Sequence, residues 1–246
     1  MSKADTDIKI SDNTADAPEG TEKPKGPPPK ELHRVRVVYE RQEALRYVSH
    51  LDMQTVWERM LRRAGVSLAY SQGFNPRPRL HLASALPLGF LSRCEIADFW
   101  VDGPPGSLAP DVEALQQQMR ATAPPGLNIQ RVELVPLSLP ALQTLVQSTE
   151  YGAVPLDPLD AQMLASAVEE LLRAESLPRE RRGKPYDLRP LIEGMSVRST
   201  DQERPLIFMR LAAREGATGR PEEVLDALGL DQAAFRVERL ALILAE

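Results

Sequence analysis

The chain has 246 residues, 42% hydrophobic and 26% charged, with a formal net charge of −5. That composition suits a globular protein with a real core, as one large domain or two ordinary ones. No run approaches the ~18 consecutive apolar residues of a membrane span, no apolar signal segment opens the chain, and a single cysteine, Cys94, excludes a disulfide scaffold and a zinc finger or iron–sulfur cluster held by this chain alone.

A cytoplasmic protein without membrane contact is therefore expected. Three histidines, His33, His50 and His81, are few for a multi-histidine site, and no metal site is expected. The acidic balance means that any nucleic-acid role has to rest on a local basic patch.

Residues 1–31 read as a disordered tail. They are poor in large apolar residues and end in a proline-rich run, Lys23 to Lys30, that favours an extended, solvated backbone. Structure is expected from Leu32. Val35, Val37 and Tyr39 alternate with Arg34, Arg36 and Val38 at the period of a strand. Val56, Trp57, Met60, Leu61 and Ala64 recur at helical spacing, and Gly65 stops the helix. A short strand is expected at Val66 to Ser71, then a Gly/Pro loop from Ser71 to Arg79, then strands at Leu80 to Leu86 and Cys94 to Val101. Pro110 suits the first turn of a helix whose buried face carries Val112, Leu115 and Met119, and Leu127 to Val135 returns as a strand.

The second half repeats the pattern. Leu142 to Tyr151 reads as a strand. Asp157 and Pro158 open a helix lined by Leu164, Val168, Leu171 and Leu172. Tyr186 to Arg198 holds a strand interrupted by Pro190, and Leu206 to Ala213 holds the next. Pro221 starts a short helix, Gly229 ends it, and Phe235 to Leu244 is the last strand. Both halves thus read β-α-β-β-α-β. The expected fold is α+β: two tandem ferredoxin-like domains, 32–137 and 138–246, behind the tail. That fold hosts enzymes, RNA binders and interaction modules alike, so function has to come from the site.

Ser49-His50-Leu51-Asp52 opens the first helix. Ser49 and Asp52 have the spacing of a capping box, which accounts for both without chemistry. His50 is left over beside a helix N-terminus, where a neutral imidazole could act as acid or base. Ser71-Gln72-Gly73-Phe74-Asn75-Pro76-Arg77-Pro78-Arg79 is a stiffened loop. Its Gly73 permits positive φ, its Asn75, Arg77 and Arg79 suit an anion, and its Phe74 either stacks on a base or anchors the loop. Arg59, Arg62 and Arg63 add a basic helix face. Glu95 and Asp98 fall on opposite faces of a strand. They read as structural acids, with Arg62 or Arg63 a partner for Asp98. Arg179, Arg181, Arg182, Lys184 and Arg189 form a second basic cluster in a connection.

Tyr47 to Asp52, Leu61 to Gly65 and Tyr70 to Pro78 together resemble a bacterial domain of unknown function, the radical-SAM-associated domain. That domain is fused to, or encoded beside, B12-binding-type radical SAM proteins. The resemblance continues through Ala85 to Gly89, Cys94-Glu95, Asp187 to Ile192 and Arg220 to Leu225, and spans residues 33–244. It implies an accessory protein that binds RNA or positions a substrate for a radical SAM partner, in RNA modification or translation-related processing. S-adenosylmethionine and the iron–sulfur cluster would belong to that partner. The candidate binding residues, read from the motifs and the basic patch, are Ser49, Arg62, Arg63, Ser71, Gly73, Phe74, Asn75, Arg77 and Arg79, with the arginines, Asn75 and His50 expected to line one groove. A tandem ferredoxin-like chain also resembles the endonucleases that process CRISPR RNA, with His50 near the position of their catalytic histidine. Their Gly-rich loop before the last strand is absent: this chain reads Gly229-Leu230-Asp231-Gln232-Ala233-Ala234. The alternatives are therefore a metal-independent endoribonuclease using His50 and a pure protein-interaction module.

Overall fold

The computed structural model describes residues 31–104, 106–200 and 202–245. The expected tail, apart from its last residue, lies outside them. The chain opens with β1 (Glu31–Arg41), α1 (His50–Arg63), β2 (Leu80–Leu82), β3 (Leu91–Gly103), α2 (Val112–Thr122) and β4 (Leu127–Val135). It continues with α3 (Leu142–Leu145), β5 (Val146–Pro155), α4 (Ala161–Arg173), β6 (Pro178–Arg181), β7 (Lys184–Asp187), β8 (Ile192–Ser199), β9 (Pro205–Arg214), β10 (Ala217–Thr218), α5 (Pro221–Ala227) and β11 (Phe235–Leu244). The fold is mixed α+β.

Nine strands form one sheet. Its path is β10-β9-β5-β11-β3-β1-β4, with β2 added on β3 and β8 on β9. The first half contributes β4-β1-β3-β2 and the second β8-β9-β5-β11. Every pairing within a half is antiparallel. The halves join where β11 runs parallel to β3, with Glu238 opposite Leu91 and Arg239 opposite Ser92.

The period-two pattern of β1 works as read. Val35, Val37 and Tyr39 are buried with Trp57, Met60 and Leu61 of α1 and Leu115 and Met119 of α2. A second cluster gathers Leu164, Val168 and Leu171 of α4, Val224 and Leu225 of α5, and Phe235 and Val237 of β11. A third, of Ala83, Ile96, Leu142, Val146 and Leu242, draws on both halves.

Several boundaries differ from the sequence reading, each for a local reason. Val66 to Ser71 is no strand; Leu68 and Tyr70 make only isolated bridges, to Val101 and Pro78. Leu142 to Leu145 is a helical turn, and the strand begins at Val146. The helix caps are Asp111 and Asp160, whose carboxylates accept from backbone N–H groups two or three residues on. That leaves Pro110 and Asp157-Pro158 outside the helices. Pro190 lacks an N–H for the ladder, so a single-turn 3-10 helix, Arg189–Leu191, splits the expected strand into β7 and β8. The connection after α4 folds into the hairpin β6–β7.

Candidate functional site

The capping residues sit where the motif predicts. Ser49 Oγ accepts from the Asp52 N–H at 3.2 Å and donates to Asp52 Oδ2 at 2.7 Å. Asp52 thus bonds the Ser49 hydroxyl rather than the Ser49 N–H. His50 is the first helical residue and is half-buried. Burial lowers its pKa, and Glu95, Arg41 and Arg239 act on it electrostatically, with the carboxylate opposing the two guanidiniums.

Arg62 and Arg63 lie in the last turn of α1. Twelve residues of helix separate His50 from Arg62, about 18 Å at 1.5 Å per residue. The residues implied as one groove are therefore spread along the helix, with His50 at its start. Arg63 turns toward α2 and donates to the Thr122 carbonyl at 3.1 Å. Arg62 instead borders a hollow of about 260 Å³ with Glu58, Tyr70 and Pro78.

Residues 70–78 form a projecting finger. The Ser71 N–H donates to the Arg77 carbonyl at 2.8 Å, and the Arg77 N–H donates to Ser71 Oγ at 3.0 Å. The Arg79 N–H closes the root on the Ala69 carbonyl at 2.8 Å. Gly73 takes φ +141°, in the region open to glycine. The turn throws Phe74 outward with 106% relative exposure, alongside exposed Asn75 and Arg77. Phe74 is thus no core anchor. Arg79 leaves this group: its guanidinium stacks 4.6 Å from the Trp100 ring.

Glu95 and Asp98 of β3 are structural, and neither pairs with Arg62 or Arg63. Asp98, 0% exposed, accepts from Arg36 Nε at 2.8 Å and Nη2 at 2.9 Å, and from Arg34 Nε at 2.9 Å. Arg34 also donates to the Leu139 and Pro140 carbonyls. Glu95 accepts from Arg239 Nη1 at 2.7 and 2.9 Å. The second basic cluster is largely occupied as well. Arg181 binds Glu223, Arg179 reaches Asp226, and Arg189 donates to the Leu172 carbonyl.

Motif reading passed over Arg34, Arg36, Arg41 and Arg239, all buried. The available signal was a guanidinium at a core-facing alternate position of a strand, as with Arg239 in step with Phe235 and Val237. Among the described residues no three His, Cys, Asp or Glu side chains converge as a metal site, and no helix is long and apolar enough to cross a membrane. Burial raises the pKa of the Cys94 thiol.

No curated protein matches the chain. Among solved structures, one described as a glycine cleavage system transcriptional repressor aligns with 87% of this chain and 98% of its own, at 10% identity. Its TM-score of 0.23 is too low to carry any argument. Residues 34–221 match the family described as an uncharacterised protein conserved in bacteria, DUF2344. With the match running from the first strand to the start of α5, the chain belongs to that family.

Proposed function

We propose that this chain is an RNA-binding accessory protein whose finger and adjoining helix hold RNA for a radical SAM partner. One observation carries the reading: a fully exposed Phe74 at the tip of a hydrogen-bonded finger, beside exposed Arg77. Leaving a phenyl ring in water has no structural return, and a preformed loop loses little entropy on binding. An aromatic beside a guanidinium suits single-stranded RNA, where the ring stacks on a base and the cation meets a phosphate. The five arginines of residues 50–82, against Asp52 and Glu58, add local positive charge in an acidic chain. In this reading the partner supplies S-adenosylmethionine and the iron–sulfur cluster, and both proteins work in the cytoplasm. The strand orders β4-β1-β3-β2 and β8-β9-β5-β11 support two ferredoxin-like units, 32–137 and 138–246.

The test is an anisotropy titration with single-stranded RNA at low and high salt, with the RNA recovered and sized afterwards. Binding that falls with salt, and falls again in Phe74→Ala and Arg77→Ala with the RNA intact, is the expected result. Fragments that disappear in His50→Ala would replace it with the endoribonuclease. No binding at low salt would leave the protein-interaction module.

A further inference from the structure

The two halves enclose a second feature, apart from the finger. A cavity of about 360 Å³ lies between the Ser84–Pro87 loop of the first half and β5, β9 and the start of α5 in the second. That volume is at the small end of small-molecule sites, which run roughly 300–1,000 Å³.

Three lining groups have unused bonding capacity. Thr149 and Tyr151 stand two apart on β5, so both face the cavity side of the strand. The Tyr151 hydroxyl accepts from Arg239 Nη2 at 3.2 Å, and its own proton goes to no group among the described residues. The Thr149 hydroxyl makes no hydrogen bond among them. The third group is Glu222, at the start of α5. Its Oε2 is closed off from solvent and has no hydrogen-bond partner.

Glu222 differs from the other enclosed carboxylates. Glu95 has Arg239, and Asp98 has Arg34 and Arg36. Its neighbour Glu223 takes Arg181. Arg220 also lines the cavity but forms no ion pair with Glu222. Oε2 is shut off from the cavity as well as from solvent, so a ligand meets this carboxylate at Oε1. A carboxylate with one oxygen stripped of water and left without a donor is costly, and a cation at its other oxygen offsets that cost.

We propose that this cavity binds a small organic ammonium ion that also carries an acceptor oxygen. The ammonium meets the Glu222 carboxylate, and the oxygen accepts from the Tyr151 and Thr149 hydroxyls. Because the lining comes from both halves, the bound molecule also ties them together.

The test is calorimetric titration of the full chain with ethanolamine and with 4-amino-1-butanol, using 1,4-butanediol as the uncharged control. Saturable binding of at least one amine is expected, with none of the diol. Glu222→Gln keeps the shape and removes the charge, and a loss of about tenfold or more in affinity is expected, as for a lost charged hydrogen bond. Tyr151→Phe keeps the ring that meets Phe90 edge-on, and should weaken the amine by a smaller factor. Phe74→Ala should leave amine binding unchanged. Thermal melts establish that each variant is folded. The proposal is overturned if neither amine saturates wild type at millimolar concentration. It is equally overturned if a folded Glu222→Gln, or Tyr151→Phe should Glu222→Gln not fold, binds as wild type does.

Discussion

Arg239 of β11 and Glu95 of β3, 144 residues apart, form a buried ion pair beside the one parallel strand pairing among the described residues. Their side chains are 1% and 5% exposed. Arg239 Nη2 also donates to the Ala85 carbonyl at 2.7 Å and to the Tyr151 hydroxyl at 3.2 Å. This pair therefore stands where the first half meets the second, within the electrostatic reach of His50.

Breaking the pair from one side leaves a buried charge alone. Glu95→Ala should destabilise the chain by about 3–5 kcal/mol. Replacing both partners together, Glu95→Leu with Arg239→Met, should cost much less, because no unpaired charge remains. Denaturant unfolding of the two single variants and the double variant measures the difference. Equal losses in single and double variants would mean the pair is not what holds the seam.

Asp98 neutralises two buried guanidiniums at once. Asp98→Asn removes the charge facing both Arg34 and Arg36, so the expected loss is again about 3–5 kcal/mol. Arg62→Ala and Arg63→Ala, at the exposed end of α1, should stay within about 0.5 kcal/mol. Thermal or urea unfolding of the three variants provides the comparison.

Two glycines separate strain from crowding. Gly73 has φ +141° with open space around it, while Gly126 has φ +86° and a Cβ would come within 3.0 Å of Ala44 Cβ and 3.1 Å of the Leu45 N. Gly73→Ala should therefore cost about 1 kcal/mol from backbone strain alone. Gly126→Ala should cost more, about 2–4 kcal/mol, since backbone has to move as well. Only Gly73→Ala should disturb RNA binding.

His50 predicts the sign of a pH effect. Burial holds its pKa in the folded chain below the ordinary value of 6.5. The unfolded chain then binds the proton first as pH falls below 6.5. Stability should be fully present above that value and decline as pH drops toward the folded pKa. Burial shifts His81 the same way, so His50→Gln should reduce the slope without abolishing it. Unfolding midpoints at pH 7.5 and pH 5.5 for wild type and variant measure it; an unchanged slope in His50→Gln would show that His50 contributes nothing.

At the finger, Phe74→Ala should leave stability within about 0.5 kcal/mol of wild type, because the ring contacts solvent. Its RNA affinity should fall by about 1–3 kcal/mol, the usual worth of one base stacked on an aromatic. Arg77→Ala should lower both the affinity and its salt slope.

Much of this protein is local physics. The alternation of β1, the Ser49 cap, the Gly65 stop on α1 and the last strand from Phe235 to Leu244 follow from side-chain period and cap chemistry within a few residues. The finger too was legible as a stiff loop, since two prolines constrain its backbone and Gly73 permits its turn wherever it lies. What the residues could not state is where Phe74 points, because a phenyl ring suits a core and a base stack equally well.

Tertiary structure alone decided the pairing of charges. Arg34, Arg36, Arg41 and Arg239 carry a formal charge that composition places on the surface, yet all four are buried. The carboxylates that answer Arg34, Arg36 and Arg239 lie 62 to 144 residues away, whereas Arg41 donates to the Leu45 and Val48 carbonyls, four and seven residues on. Tertiary structure likewise closed the Ser84–Pro87 loop over Tyr151. The periods of strand and helix are written into neighbours along the chain. A desolvated guanidinium and the carboxylate that answers it are chosen only when distant segments meet, so no window of sequence contains that pairing.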